Sequence, residues 1–196
     1  GIEVADRPAY ALTRAMTIEF WIRPHGSGGA IFWRGDHRPG FDPYALSMQG
    51  NDGLWFSLTD DSNKFAHTYT KLTYGRWTYV AATFDGDTGT MCLYTNGQLA
   101  AATHTDIRPI GQLLPDMSPG LGIGNVNDGG NNFPFNGDLD EVGLYNRALS
   151  AGEIQGIYQE HAAAVAKIAT LQPERPLMNM NSRTYFNGPS SSFDSR

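Results

Sequence analysis

The nine residues Met16-Thr17-Ile18-Glu19-Phe20-Trp21-Ile22-Arg23-Pro24 constrain this chain more than any other segment. They alternate with a period of two, so Ile18, Phe20 and Ile22 fall on one face of a strand and Glu19, Trp21 and Arg23 on the other. A strand of this kind must bury one face and present the other. Pro24 and the run His25 to Gly29 then end it. The pattern recurs in short pieces: Ala30 to Trp33, Tyr44 to Met48, Leu54 to Leu58 and Phe65 to Thr70. Turn clusters such as Gly50-Asn51-Asp52-Gly53 and Thr59 to Asn63 separate them. Trp77 to Phe84 leads through Asp85 to Gly89 into Thr90 to Thr95. Asn96-Gly97 then supplies a two-residue turn that tolerates positive φ, and Gln98 to Thr103 returns.

An irregular stretch spans Thr105 to Pro119. A strand over Leu121 to Gly124, a Gly/Asn loop over Asn125 to Asn132 and a last strand from Asp138 to Tyr145 follow. One helix begins after Ser150, where the Ser150 hydroxyl and Glu153 form a capping box. Its apolar face carries Ile154, Ile157 and Tyr158 and extends toward Ala169. Many short strands with tight turns predict an all-β, two-sheet antiparallel sandwich with one C-terminal helix. The expected division is one domain over residues 1–166 and a tail or linker over 167–196, which is rich in Pro, Ser and Asn.

Composition narrows the function. Only 17% of residues are Asp, Glu, Lys or Arg, the net charge is −6, and the basic residues are scattered. A nucleic-acid partner is not expected without clustered cations. No stretch approaches the roughly 20 apolar residues of a membrane span. Cys92 is the single cysteine, so no intrachain disulfide exists, and its strand context predicts a packed thiol. No signal peptide is visible at Gly1, and the sequence is expected to belong to a larger polypeptide.

Three ordered segments carry a family resemblance. They are Met16 to Pro24; Arg76-Trp77-Thr78-Tyr79-Val80-Ala81 with Phe84-Asp85-Gly86 and Leu93 to Gly97; and Phe135-Asn136-Gly137-Asp138-Leu139-Asp140-Glu141-Val142 with Tyr145 to Ser150, Glu153 and Ile154. Over about residues 2 to 160 the chain resembles the bacterial laminin-G-like, concanavalin A-like lectin/glucanase domains. That resemblance implies a jelly roll in a secreted or surface protein. It leaves function open, because the fold hosts many.

The enzymatic option fails on spacing. Glycosidases of this scaffold are similar in carrying a Glu-x-Asp-x-(x)-Glu strand, and retaining hydrolysis needs two carboxyls about 5 Å apart. Here Asp138-Leu139-Asp140-Glu141-Val142 offers no Glu two residues from Asp140. Strict alternation sends Asp140 and Glu141 to opposite faces. Asp140 is instead expected to accept backbone hydrogen bonds and Glu141 to pair with an arginine of a neighbouring strand. Calcium is the alternative cofactor, with Asn125, Asn127, Asp128, Asp138 and Asp140 as oxygen donors. For ligand contact, the loop Trp33 to Tyr44 mixes rings with charges, which selects Trp33, Arg34, Asp36, His37, Phe41 and Tyr44. Trp21, Trp55 and Trp77 sit in strand patterns and read as core.

The expected function is a non-catalytic, extracytoplasmic binding module, with carbohydrate as the first ligand class and protein as the second. An accessible aromatic row beside amide-rich loops favours sugar, and a broad apolar patch favours protein.

Overall fold

The computed structural model describes residues 1–126 and 132–171. In chain order the strands are β1 (Ile2–Ala5), β2 (Ala15–Pro24), β3 (Ala30–Gly35), β4 (Tyr44–Gln49), β5 (Gly53–Thr59) and β6 (Phe65–Lys71). After them come β7 (Thr78–Asp85), β8 (Thr90–Thr95), β9 (Gln98–His104), β10 (Gly120–Ile123) and β11 (Gly137–Tyr145), and the helix α1 (Ala151–Leu171) closes the series. Each strand expected from alternation is present within two residues. The short β1 adds one strand that alternation does not predict.

The strands form two antiparallel sheets, one in the order β1-β10-β3-β4-β5-β6 and the other β11-β2-β7-β8-β9. This is the two-layer jelly roll that the sequence predicts. The inner faces meet in one core containing Ile18, Phe20 and Ile22 of β2, Leu54, Phe56 and Leu58 of β5, and Val80, Ala82 and Phe84 of β7. Every second residue of these strands enters it, as a pleated strand requires. The Asn96-Gly97 turn has φ of 50° and 77°, the left-handed pair that a two-residue hairpin needs.

On the outside of the five-stranded sheet α1 covers a smaller apolar cluster of Tyr79, Ala81, Tyr94, Leu149 and Ile154. Its capping box is formed: the Glu153 N–H donates to Ser150 Oγ at 3.3 Å, and the Ser150 N–H donates to Glu153 Oε2 at 2.8 Å. The helix runs to Leu171, across the expected domain boundary at 166, and residues 172–196 lie outside the described residues. Cys92 is half-buried on β8 beside this second cluster, less enclosed than its strand pattern suggests.

Candidate functional site

Among the described residues no helix covers the outer face of the six-stranded sheet. Register places Trp33, Ala45, Ser57 and His67 in one row across β3, β4, β5 and β6, and Ser47, Trp55 and Tyr69 in the next. Residues opposite one another in register share a face, so small side chains (Ala45, Ser47, Ser57) floor a trough between larger ones. The trough is an open cleft of about 460 Å³, lined among others by Trp33, Asp36, Arg38, Asp42, Ser47, Gln49, Ser57 and Phe133.

One wall is the loop after β3. A Cβ on Gly35 would overlap the Trp33 indole, so glycine lets that ring lie flat against the backbone. Trp33 Nε1 donates to Asp42 Oδ1 at 2.7 Å. Asp36 organises the loop. Its carboxylate accepts from Arg38 Nε (2.9 and 3.1 Å), Arg38 Nη2 (2.8 Å), the Arg38 N–H (3.0 Å) and the Leu114 N–H (2.8 Å). Burial opposes its charge, but the Arg38 side chain and the two backbone N–H groups outweigh burial and hold the carboxyl below its ordinary range. The Arg38 guanidinium also stands 4.5 Å over the Phe41 ring.

Beside the cleft, on the same face of the sheet, β5 and β6 carry a row of rings. Trp55 lies 5.4 Å from Tyr69 at an interplanar angle of 21° and 4.3 Å from His67, while Phe65 lies 6.1 Å from His67. Phe65 is 69% exposed and Tyr69 56%. These four rings form a continuous, solvent-facing row next to the Ser47 and Ser57 hydroxyls.

The residues expected to touch ligand therefore divide. Trp33 and Asp36 line the cleft and Phe41 supports its rim through Arg38. His37 lies in the same loop with Nε2 buried and no hydrogen-bond partner. Arg34 and Tyr44 require correction as surface contacts. Both point into the sandwich, 1% and 0% exposed, because their register pairs them on the core side of β3 and β4. The aromatic row is absent from the sequence-based expectation, and of the three tryptophans expected in the core only Trp21 packs against one. Trp21 packs under α1, Trp55 stacks on Tyr69 on the outer face of the sheet, and Trp77 is 42% exposed with Arg23 stacked 5.2 Å above it.

The acidic strand lies in the other sheet. Asp140 pairs with Trp21 and Gly143 with Glu19, three residues against two, so a bulge interrupts the alternation expected for β11. Glu141 sits there at φ 51°. Its carboxylate meets His161 Nδ1 of α1 at 2.6 Å, not an arginine of a neighbouring strand. The arginine instead serves Asp138, which accepts from Arg23 Nε at 2.7 Å and contacts His25 Nε2 at 3.0 Å. The Arg23 hydrogen bond dominates in holding the Asp138 carboxyl below its ordinary range. Asp140 accepts the Glu141 N–H at 2.9 Å, the backbone role expected of it.

The donors proposed for calcium fit that ion poorly where they are described. Asn125 Oδ1 accepts the Val126 and Phe133 N–H groups, and Asp138 is already matched to two cationic side chains. Asn127 and Asp128 lie outside the described residues. Among the described residues no three His, Cys, Asp or Glu side chains gather for a metal. The expected result is one Tm, identical in excess Ca²⁺ and in EDTA. A calcium-dependent rise would restore the metal site, since a ligand that binds only the folded state raises Tm.

Two antiparallel sheets, one with an aromatic outer face that no described helix covers, define a lectin-type β-sandwich. The chain belongs to the concanavalin A-like lectin/glucanases superfamily, whose Laminin_G_3 model matches residues 1–155. No curated protein matches it. Among solved structures it is similar to the CBM40 of the Ruminococcus gnavus IT-sialidase bound to α2,3-sialyllactose. The TM-score there is 0.64 at 16% identity, over 80% of this chain and 92% of that one. It is also similar to a SAP-like pentraxin of Limulus polyphemus (TM-score 0.55, 18% identity, 80% and 72% covered). A third likeness is to the binding domain of botulinum neurotoxin DC in complex with SialylT (TM-score 0.58, 16% identity, 81% and 38% covered). The chain spans little more than a third of the toxin domains it matches. At these identities the likeness is one of fold.

Proposed function

We propose that this chain is a non-catalytic carbohydrate-binding module that takes its ligand on the open face of the six-stranded sheet. The observation that carries the reading is the row Phe65, His67, Trp55 and Tyr69 beside a hydroxyl- and amide-bearing trough. Pyranose rings present apolar C–H faces that stack on aromatic rings, and their hydroxyls need donors and acceptors alongside. Ser47, Ser57 and Gln49 supply these, and Asp42 fixes the indole of Trp33. Of the two carboxylates that line this trough, Asp36 is bound up with Arg38 and Asp42 accepts from the Trp33 indole, and the acidic residues of β11 belong to the other sheet. A secreted or surface location within a longer polypeptide belongs to the same proposal. Its support is the likeness to a sialidase module and to toxin binding domains.

A glycan array tests the reading, with Tyr69→Ala and Trp55→Ala run beside the parent protein. Each loss is expected to weaken binding by about 1.5 kcal/mol, roughly tenfold in Kd. Tyr69→Ala should leave Tm nearly unchanged because the ring is largely in solvent. Silence across the array would move the assignment to a protein ligand on the same aromatic row. Undiminished binding in both variants would place the site elsewhere.

A further inference from the structure

We infer that the ligand of this face is an extended, unbranched glycan of several linked pyranoses, laid lengthwise along β6 and held through its interior rather than by a terminal sugar. The inference rests on the carbohydrate reading above and adds the ligand's length and direction to it.

Strand geometry sets the rings in a line. β6 is the last strand of the six-stranded sheet, and Phe65, His67 and Tyr69 alternate along it with Ala66 and Thr68. Ala66 packs against the core and Thr68 is buried, so the three rings stand on the outer face. Phe65 and Tyr69 are four residues apart, about 13 Å on an extended strand. His67 and Trp55 fill the interval half-buried, with Trp55 opposite Tyr69 in register. From Phe65 through His67 and Trp55 to Tyr69, successive ring planes turn by 21°, 31° and 21°, so orientation changes gradually along the row. The two end rings are the most exposed, Phe65 at 69% and Tyr69 at 56%.

Single bonds of about 1.5 Å make one pyranose with its glycosidic oxygen roughly 5 Å long, so about three in line reach from Tyr69 to Phe65. One sugar covers one end of the row and leaves the other in water. A site for a chain terminus wraps most of a single residue's surface, whereas these end rings stand largely in solvent and extend contact in one direction. The polar groups grade along the same line. Ser47 lies opposite Trp55 and Ser57 opposite His67, with Gln49 two residues beyond Ser47. Hydroxyl and amide partners therefore accompany the Tyr69 end and the middle, and Phe65 extends the row as a stacking surface. A sugar seated on Trp55 and Tyr69 tethers the next ones at high effective concentration over His67 and Phe65, so each added contact strengthens binding.

The test is a length series: linear β-1,3- and β-1,4-linked oligosaccharides from disaccharide to hexasaccharide, titrated by calorimetry beside the glycan array. In the series that binds, Kd is expected to fall at least about tenfold from the disaccharide to the tetrasaccharide and then to level off. Phe65→Ala should abolish that gain, so that the tetrasaccharide binds about as weakly as the disaccharide, whose own affinity changes little. The Phe65 ring is mostly in solvent, so the variant should fold and melt like the parent. Affinity independent of length, or array signals confined to glycans that share a terminal sugar, would overturn this inference while leaving the carbohydrate reading intact. A Phe65→Ala loss equal at every length would also overturn it, since Phe65 would then not mark the far end of the row. Silence across the array and every oligosaccharide would overturn the reading and the inference together.

Discussion

Arg34→Met is expected to lower the unfolding free energy by about 3–5 kcal/mol, because it breaks a buried ion pair from one side only. Arg34 is 1% exposed. Its Nε and Nη2 donate to the two oxygens of Asp6 at 2.9 and 3.0 Å, and the guanidinium reaches the carbonyls of Ile110 and Gly111 at 3.3 and 3.1 Å. The Tyr44 ring lies 5.9 Å from its centre. One side chain thus fastens β3 to the residue after β1, to the segment between β9 and β10, and to β4. Removing it leaves the Asp6 carboxylate and two carbonyls without their donor. Urea unfolding should show the midpoint falling at unchanged slope, and Tm should drop by about 10 °C or more. Arg34→Lys should fall between the parent and Arg34→Met, since an ammonium cannot span both carboxylate oxygens in the same fork. Asp6→Ala combined with Arg34→Met should recover part of the loss, because no charge is then stranded. A single Arg34→Met variant as stable as the parent would show that the pair holds nothing together.

That arginine also marks where the sequence is legible and where it is not. Strand periodicity specifies the sheets, since Leu54, Phe56 and Leu58 or Ile18, Phe20 and Ile22 leave no choice of inner face. The same alternation already turns Trp55 and Ser57 outward: with Phe56 in the core, its two neighbours must face the other way. The aromatic row is therefore latent in the pattern, and the general tendency of tryptophan to be buried obscures it. The orientation of β3 is not latent. A bulge between Ala30 and Phe32 shifts its phase, turning Arg34 inward and Trp33 outward. A charged residue inward and an indole outward invert the ordinary reading of both, and partners distant in sequence, Asp6 and the carbonyls of Ile110 and Gly111, make the inward arginine stable.

A similar phase shift changes the meaning of β11. Counting residues from Asp138 sends Glu141 to the core side, yet the inserted residue turns it toward α1 and His161. The motif identifies the family correctly while its carboxylates take partners that only the third dimension supplies. Local signals fare best: the Ser150–Glu153 capping box and the Asn96-Gly97 turn depend on contacts within four residues.

Glu19→Ala is expected to cost about 3–5 kcal/mol as well, for the opposite geometric reason: an outward-facing position that the helix has sealed. Glu19 is on the α1 side of β2, where alternation puts it, but it is buried beneath the second cluster. Its carboxylate accepts the hydroxyls of Tyr79 and Tyr145. Burial, reinforced by Glu19, pushes the Tyr79 phenol well above its ordinary range. The Glu19 hydrogen bond, with burial adding to it, pushes Tyr145 up to about 12. Both groups have folded values above their unfolded value of about 10. Their contribution to stability is therefore complete below about pH 10 and is lost as the pH rises through about 12, where the unfolded chain releases protons that the folded one retains. The parent protein should accordingly lose stability steeply between about pH 10 and 12. Glu19→Ala should start lower and decline less over that interval, because the phenols no longer face an anion. Tyr145→Phe should remove one of the two hydrogen bonds and about half of the Glu19→Ala loss. Parallel pH–stability curves for the parent and Glu19→Ala would show that Glu19 does not set the phenols' protonation.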